Sequence, residues 1–218
     1  SPILANVYLH YVLDLWFEKC IKKQLYGEAY LVRFADDFLI MFQYERDAQR
    51  VYEAIVKRME LFGLELSKEK TRILPFGRNC GTRETFDFLG FTHFNSKTRK
   101  GYYTVGHKIS RKKKKQFKSN LKKWVKKNRD KQFDEFMKKL NKKLTGSFNY
   151  YSLSGMIKEV RSLWIHSLYV TFKWMNRRSQ RRSFKLVRFY EIWNDLIVHP
   201  YIHVDIWSGD KVIYNKNV

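Results

Sequence analysis

The stretch Tyr30-Leu31-Val32-Arg33-Phe34-Ala35-Asp36-Asp37-Phe38-Leu39-Ile40-Met41-Phe42 holds two mostly apolar runs, Tyr30 to Phe34 and Phe38 to Phe42, separated by Ala35-Asp36-Asp37. Short runs rich in β-branched and aromatic side chains, joined by a brief polar segment, predict a strand, a tight turn and a returning strand. Two adjacent carboxylates, Asp36 and Asp37, then sit at the tip of a hairpin. Two like charges held together among apolar side chains repel each other and lose hydration, so something must offset that cost. Mg²⁺ is a suitable partner, since it takes carboxylate oxygens and leaves positions for phosphates, with Mn²⁺ as the alternative ion. The plainer reading is that Asp simply favours turns. Against it, a two-residue hairpin turn prefers Gly or Asn at its position of positive φ, and neither occurs here.

Around the hairpin, Ser1-Pro2 reads as an N-cap and a first helical residue. Leu4, Val7, Tyr8, Tyr11 and Leu15 follow at helical spacing, predicting a helix from Pro2 to about Lys23. Ala48, Val51, Tyr52, Ile55, Met59 and Phe62 predict an amphipathic helix over 45–62, with Gly63 placed to end it. Leu64 to Leu74 and Phe86 to Phe94 read as strands, and Tyr102 to Val105 as a third. Beyond position 105 the pattern turns helical. Phe117, Leu121 and Trp124 form one stripe; Phe133, Phe136, Met137, Leu140 and Leu144 a second; Val160, Trp164, Leu168, Phe172 and Met175 a third. Gly146 and Gly155 are expected to separate these helices, with Tyr150 and Tyr151 in a loop. Three striped helices with short connections pack most economically as a bundle. The tail from Glu191 to Val218 is expected to pack on it through Trp193, Leu196, Ile197 and Trp207. The fold class is therefore α+β.

Charge divides the chain more sharply than structure does. Of 218 residues, 44 are Lys or Arg against 21 Asp or Glu, a formal charge of +23. Residues 1–95 hold 13 basic and 13 acidic residues, so the whole excess lies after position 95. Within 111–190 there are 25 basic residues and 4 acidic ones, too unequal for a merely solvated face. The basic positions are Arg111, Lys112, Lys113, Lys114, Lys115, Lys118, Lys122, Lys123 and Lys126 on the first stripe's helix, then Lys142 and Lys143, then Arg177, Arg178, Arg181 and Arg182. Lys suits phosphate contact without sequence reading, and Arg can also fork onto phosphates or stack on bases. Tyr150 and Tyr151 either stack on unpaired bases or pack on the bundle. An anionic membrane is the weaker partner, because a bundle consumes the apolar stripes and no apolar run approaches a span of roughly 20 residues. Cys20 and Cys80 are too few for a disulfide framework, and the six His show no metal-ligand spacing. Residue 1 is Ser, and the chain is expected to be a fragment of something longer.

Phe34-Ala35-Asp36-Asp37 resembles the Tyr/Phe-Ala-Asp-Asp box of reverse transcriptases, and its surroundings resemble the same family in the same order. Ser1-Pro2-Ile3-Leu4-Ala5-Asn6-Val7-Tyr8-Leu9 is similar to the helix upstream of that box in group II intron reverse transcriptases. Gly63-Leu64-Glu65-Leu66-Ser67 with Lys70-Thr71 resembles the next block, and Phe88-Leu89-Gly90-Phe91 the block that holds the primer end. Leu140-Asn141 through Leu144, Gly146 and Asn149-Tyr150-Tyr151 resembles the thumb and maturase-associated segment that sets this family apart from retroviral enzymes. The matching blocks span about residues 1–190. Phe34 stands where Tyr is commoner, which removes a hydroxyl and keeps the ring.

The resemblance implies an incomplete right-hand polymerase palm over 1–95, a basic helical thumb and maturase-associated region over 96–190, and a C-terminal tail over 191–218. It implies that Asp36 is a direct metal ligand and Asp37 a second or transient one. Phe34, Ala35, Lys70, Leu89 and Gly90 would lie near primer or nucleotide, although for Lys70 the favoured reading is an ordinary exposed Lys beside Glu69. Phe88 and Phe91 would help place the primer, or belong to a strand's core face. The implied partners are structured intron RNA, an RNA template with its DNA primer, and deoxynucleotides, within a cytoplasmic ribonucleoprotein of bacterial type or its organelle counterpart. Family members also use an Asp upstream of the Ser-Pro helix, and fingers over the nucleotide, and this sequence begins after both. The chain alone is therefore expected not to polymerise. The alternative is a non-catalytic, RNA-binding splicing factor; a nuclease using the same carboxylates is a more distant one.

Overall fold

The computed structural model describes residues 2–67, 69–178 and 183–201. Among these the chain is α+β, with two small antiparallel sheets and six α-helices. It divides into two compact units. One holds the described residues up to Leu89 together with Phe94–Thr104, and the other holds Gly90–His93 with the described residues from Val105 onward.

The first unit opens with α1 (Pro2–Leu9), whose axis continues through π-helical turns at His10–Asp14 and Phe17–Ile21 and a 3-10 turn at Lys22–Gln24. Helical backbone thus covers the predicted span, while the expected cap at Ser1 lies outside the described residues. A π turn carries an extra residue, shifts the faces of a helix, and is common near functional sites. Here the turns bury Val12, Leu13 and Phe17. The hairpin follows as β1 (Ala29–Phe34) and β2 (Asp37–Phe42). Its register pairs Ala29 with Phe42, Leu31 with Ile40, Arg33 with Phe38 and Phe34 with Asp37. Ala29, Leu31, Phe38, Ile40 and Phe42 turn toward the core, whereas Tyr30, Val32 and Phe34 stay exposed on the other face.

The core of this unit is closed by α2 (Glu45–Leu61), which buries Val51, Ile55 and Met59 at four-residue spacing. Gly63, at φ +67°, stops this helix as expected. The Leu64 amide donates to the Met59 carbonyl at 2.8 Å and the Gly63 amide to Glu60 at 3.0 Å, which is the Schellman closure. Arg58 of α2 donates through Nε to the Val12 carbonyl at 3.1 Å, and Tyr8 donates its hydroxyl to the Phe62 carbonyl at 2.7 Å. Both bonds tie the first helix to the second.

Two predicted strands change here. The described residues of 64–74 form none: Leu64 and Leu66 pack against the core and Glu65 is exposed, so the alternation reflects which side chains meet the core, without a ladder partner. The Ser67 carbonyl then accepts from the Lys70 and Thr71 amides and turns the chain. The predicted strand over 86–94 is two strands, β3 (Thr85–Phe88) and β4 (Phe91–Lys97), joined by a two-residue turn in which Leu89 has φ +49° and Gly90 φ +84°. With β5 (Tyr103–Ile109) they form a sheet in the order β3-β4-β5.

The second unit is built on α3 (Arg111–Asn128), α4 (Phe133–Tyr151), α5 (Ile157–Met175) and α6 (Leu186–Leu196). The Ser110 hydroxyl caps α3 by accepting from the Lys113 amide. The predicted stripes meet in one core, where Leu121, Val125, Phe136, Leu140, Leu144, Phe148, Leu163, Leu168, Phe189 and Trp193 are buried. Gly146 does not separate helices, because α4 runs through it. It lies on the exposed side between the buried anchors Leu144 and Phe148, and their packing outweighs the ~1 kcal/mol that Gly costs a helix. Tyr150 and Tyr151 accordingly belong to the last turn of α4 and not to a loop. Gly155, at φ +83°, does fall between α4 and α5.

The fourth helix, α6, crosses position 190 and brings Trp193 and Ile197 into the core, while Leu196 is exposed. Trp207 lies outside the described residues. Asn141 of α4 accepts from the Val198 amide at 2.9 Å, and Trp164 of α5 donates to the Val198 carbonyl at 3.1 Å, so the chain after α6 is clamped by two helices. No described helix is long and apolar enough to cross a membrane.

Replacing fully buried Phe136 of α4 by Ala should cost about 3–5 kcal/mol, read as a lower denaturant midpoint. Gly63→Ala, forced into the left-handed region with open space around it, should cost only about 1 kcal/mol.

Candidate metal turn and nucleic-acid interface

Because Phe34 pairs with Asp37, the hairpin closes on two central residues, Ala35 and Asp36. A two-residue closure needs left-handed backbone, and Ala35 supplies it at φ +54°, a conformation that costs a residue with a Cβ about 1–2 kcal/mol. The position that asks for Gly or Asn is thus filled by Ala, and the turn is strained. Asp36 and Asp37 are both exposed. Phe34 lies beside them on the open face, 64% exposed.

The neighbouring residue holds the strained turn. Arg33 donates through Nε to Asp14 Oδ1 at 2.7 Å and through Nη2 to Asp14 Oδ2 at 2.6 Å, a two-pronged pair with the π-helical turn. Its Nη1 donates to Asn6 Oδ1 at 3.0 Å and to the Ala35 carbonyl at 2.9 Å. Asp14 Oδ2 also lies 3.2 Å from His10 Nδ1. The Arg33 guanidinium, acting first by hydrogen bonding, holds the Asp14 carboxyl below the usual carboxylate range despite partial burial, and Asp14 raises Arg33 in turn. None of Asn6, Asp14 or Arg33 is singled out by sequence reading. The available signal is period two: Ala29, Leu31 and Arg33 share the inward face, and an Arg there requires a partner.

As a metal site the turn offers two hard carboxylates, the donor type that Mg²⁺ or Mn²⁺ prefers. No group of three His, Cys, Asp or Glu gathers among the described residues, so the turn fits as a contributor of two ligands. Lys70 is exposed at the turn after Ser67, and among the described residues no hydrogen bond or ion pair joins it to Asp36 or Asp37. Cys20 and Cys80 are free thiols.

Gly90 faces a crowded neighbourhood in the second unit. A Cβ there would stand 3.4 Å from Lys113 Cγ and 3.8 Å from the Tyr151 hydroxyl, and the Gly90 carbonyl accepts from the Ser110 amide at 3.0 Å. Phe91 stacks on Tyr150 with ring centroids 5.6 Å apart and meets Tyr151 edge-on at 5.5 Å. Tyr151 is buried and Tyr150 exposed, so the packing alternative describes Tyr151, and Tyr150 keeps an open surface.

The basic face of α3 is mostly free. Arg111, Lys112, Lys113, Lys115, Lys122, Lys123 and Lys126 are exposed, as are Lys142 and Lys143 on α4. Lys114 differs: its ammonium pairs with Glu159 of α5 at 3.0 Å, which commits it to the bundle. Lys118 is half-buried near His166, whose imidazole is pushed down chiefly by burial and then by that charge. Arg177 sits over the Trp174 ring at 5.6 Å, joined around the same indole by Lys126 at 5.6 Å and Arg129 at 5.5 Å. Arg178 is partly buried and donates to the Arg129 carbonyl at 3.3 Å. Arg181 and Arg182 lie outside the described residues.

A carboxyl whose folded value is depressed contributes stability above its unfolded value and loses it as pH falls through the folded one. The Asp14–Arg33 pair should therefore support the first unit at neutral pH and fade from about pH 4 downward. Asp14→Asn should lower stability at pH 7 and flatten the acid limb of a pH–stability curve followed by circular dichroism.

Residues 1–93 match the family model described as reverse transcriptase (RNA-dependent DNA polymerase), and residues 114–190 match that of the group II intron maturase-specific domain. No curated protein matches the chain. With the Asp-Asp hairpin inside the first match, and most of α3 with all of α4 and α5 inside the second, the chain belongs to the group II intron reverse transcriptase/maturase family.

Proposed function

We propose that this chain supplies palm carboxylates and an RNA-holding helical region to an RNA-directed DNA polymerase of the group II intron type. The observation that carries the reading is the Asp36-Asp37 pair, presented by a strained two-residue turn and exposed to solvent. In this reading residues 1–95 are the C-terminal part of the palm, 96–190 the thumb and maturase-associated region, and 191–218 a tail. Asp36 holds a divalent cation directly, with Asp37 beside it. Such ions, when bound, stabilise the attacking 3′-oxygen of the primer and the leaving pyrophosphate during nucleotidyl transfer. The chain's own part is to hold two carboxylates at a fixed tip, beside the open ring of Phe34, where primer and nucleotide meet. Two carboxylates are fewer ligands than a two-ion site uses, so the purified 218-residue chain should show no Mg²⁺-dependent primer extension. In a polymerase that includes this chain and the remaining ligands, Asp36→Asn should abolish cDNA synthesis while leaving RNA binding within about twofold. Synthesis that survives the change would remove Asp36 from the site.

A second reading, an RNA-binding splicing factor without polymerase activity, draws on the exposed cations of α3. The two functions are compatible in one protein and separate under Asp36→Asn. If α3 and α4 contact roughly six phosphates, RNA affinity should fall by about a thousandfold between about 50 and 200 mM salt. Changing Lys122, Lys123 and Lys126 to Gln should lower the slope of log affinity against log salt by about 2–3, measured by filter binding. An affinity that stays flat over that range would rule out phosphate contact as the source of binding.

A further inference from the structure

Arg33 occupies a place where packing alone asks for an apolar side chain. It shares the inward face of β1 with Ala29 and Leu31, opposite Phe38, and its side chain is only 13% exposed. A guanidinium there gives up hydration and contributes nothing that Leu or Val would not, unless its donors are used. Its Nε, Nη1 and Nη2 all donate, two of them to Asp14, and Nη1 to both Asn6 and the carbonyl of Ala35. That carbonyl belongs to the one residue of the tip held at positive φ. A left-handed Ala persists only where its surroundings over-determine it. What over-determines it here reaches from the first helix, through Arg33, to the peptide immediately before Asp36.

We propose that Arg33, anchored by Asp14 and Asn6, is a positioning residue that locks the Ala35 carbonyl and thereby the direction in which Asp36 and Asp37 are presented. The proposal rests on the reading of Asp36 and Asp37 as metal ligands for its functional meaning, but its structural core stands separately. The planar fork is essential to it: one guanidinium meets both Asp14 oxygens and still reaches Asn6 and Ala35, whereas a Lys ammonium can keep an ion pair with Asp14 but cannot span all of these acceptors. Arg33→Lys therefore separates charge from geometry.

The test compares the wild-type chain with Arg33→Lys, Asp14→Asn and Asp36→Asn, using amide exchange by NMR and line broadening of the tip resonances by added Mn²⁺. Arg33→Lys should speed exchange of the Asp37 amide, which lies in the ladder opposite Phe34, roughly tenfold, the effect of losing a charge-assisted bond, while amides of α2 exchange as before. It should also raise the Mn²⁺ concentration for half-maximal broadening severalfold. Asp14→Asn, which frees the guanidinium at its anchor, should reproduce both changes. If Arg33→Lys fails to fold, Asn6→Ala removes one acceptor and should give the same pattern in smaller measure. Tip exchange within twofold of wild type in the folded variants would overturn the positioning role. Broadening that Asp36→Asn leaves unchanged would instead overturn the metal reading, with the exchange comparison still deciding whether Arg33 sets the turn.

Discussion

A single guanidinium on the core face of a two-stranded hairpin constrains much of the first unit. Once Arg33 points inward it must be paired, and the partner has to come from whatever packs on that face. The first helix provides it: its π-helical turn carries Asp14 to the fork, and Asn6, two helical turns earlier, meets the remaining edge. That one interaction joins helix to hairpin and holds the carbonyl of the strained residue at the tip. Packing of Val12, Leu13 and Phe17 against Leu31, Ile40 and α2 then makes the arrangement stable. The carboxylates at the tip are exposed, and the side-chain bond to the tip's backbone comes from the inward side of the same strand.

The second unit resolves a different conflict. A helix with as many cations as α3 is poorly suited to a core, yet Leu121 and Val125 are buried at four-residue spacing and Phe117 and Trp124 flank them. The long stems of Lys let a narrow apolar seam coexist with a wide positive face. Two positions depart from that division. Lys114 turns to Glu159 and Lys118 lies half-buried near His166, so they serve the bundle more than a polyanion. Around Trp174, three cations gather on one indole ring, whose π-system offsets part of the cost of holding like charges close.

Much of this was legible in the sequence, and for definite reasons. The helical stripes were readable because apolar residues recur every three or four positions, and the hairpin because its runs are short and flank a polar pair. The misreadings share a cause. Leu64-Glu65-Leu66 alternates like a strand, but alternation records only which side chains meet a surface, not whether a ladder partner exists. Gly146 looks like a break, but a helix anchored by Leu144 and Phe148 absorbs it. Leu89-Gly90 divides what reads as one strand, because a two-residue turn leaves almost no polar gap in the pattern.

By itself the sequence determined most of the element types, the neutral and basic halves, and the Asp36-Asp37 turn with its flanking blocks, since these depend on local spacing and composition. Only the tertiary structure decided that Arg33 finds Asp14 and Asn6, that Tyr151 is buried while Tyr150 is not, and which of the α3 cations are already paired. Those outcomes require residues far apart in the chain to meet. Contacts of that kind leave no period in the sequence, and at most an odd residue, such as an Arg among inward-facing apolar positions, shows that one is needed.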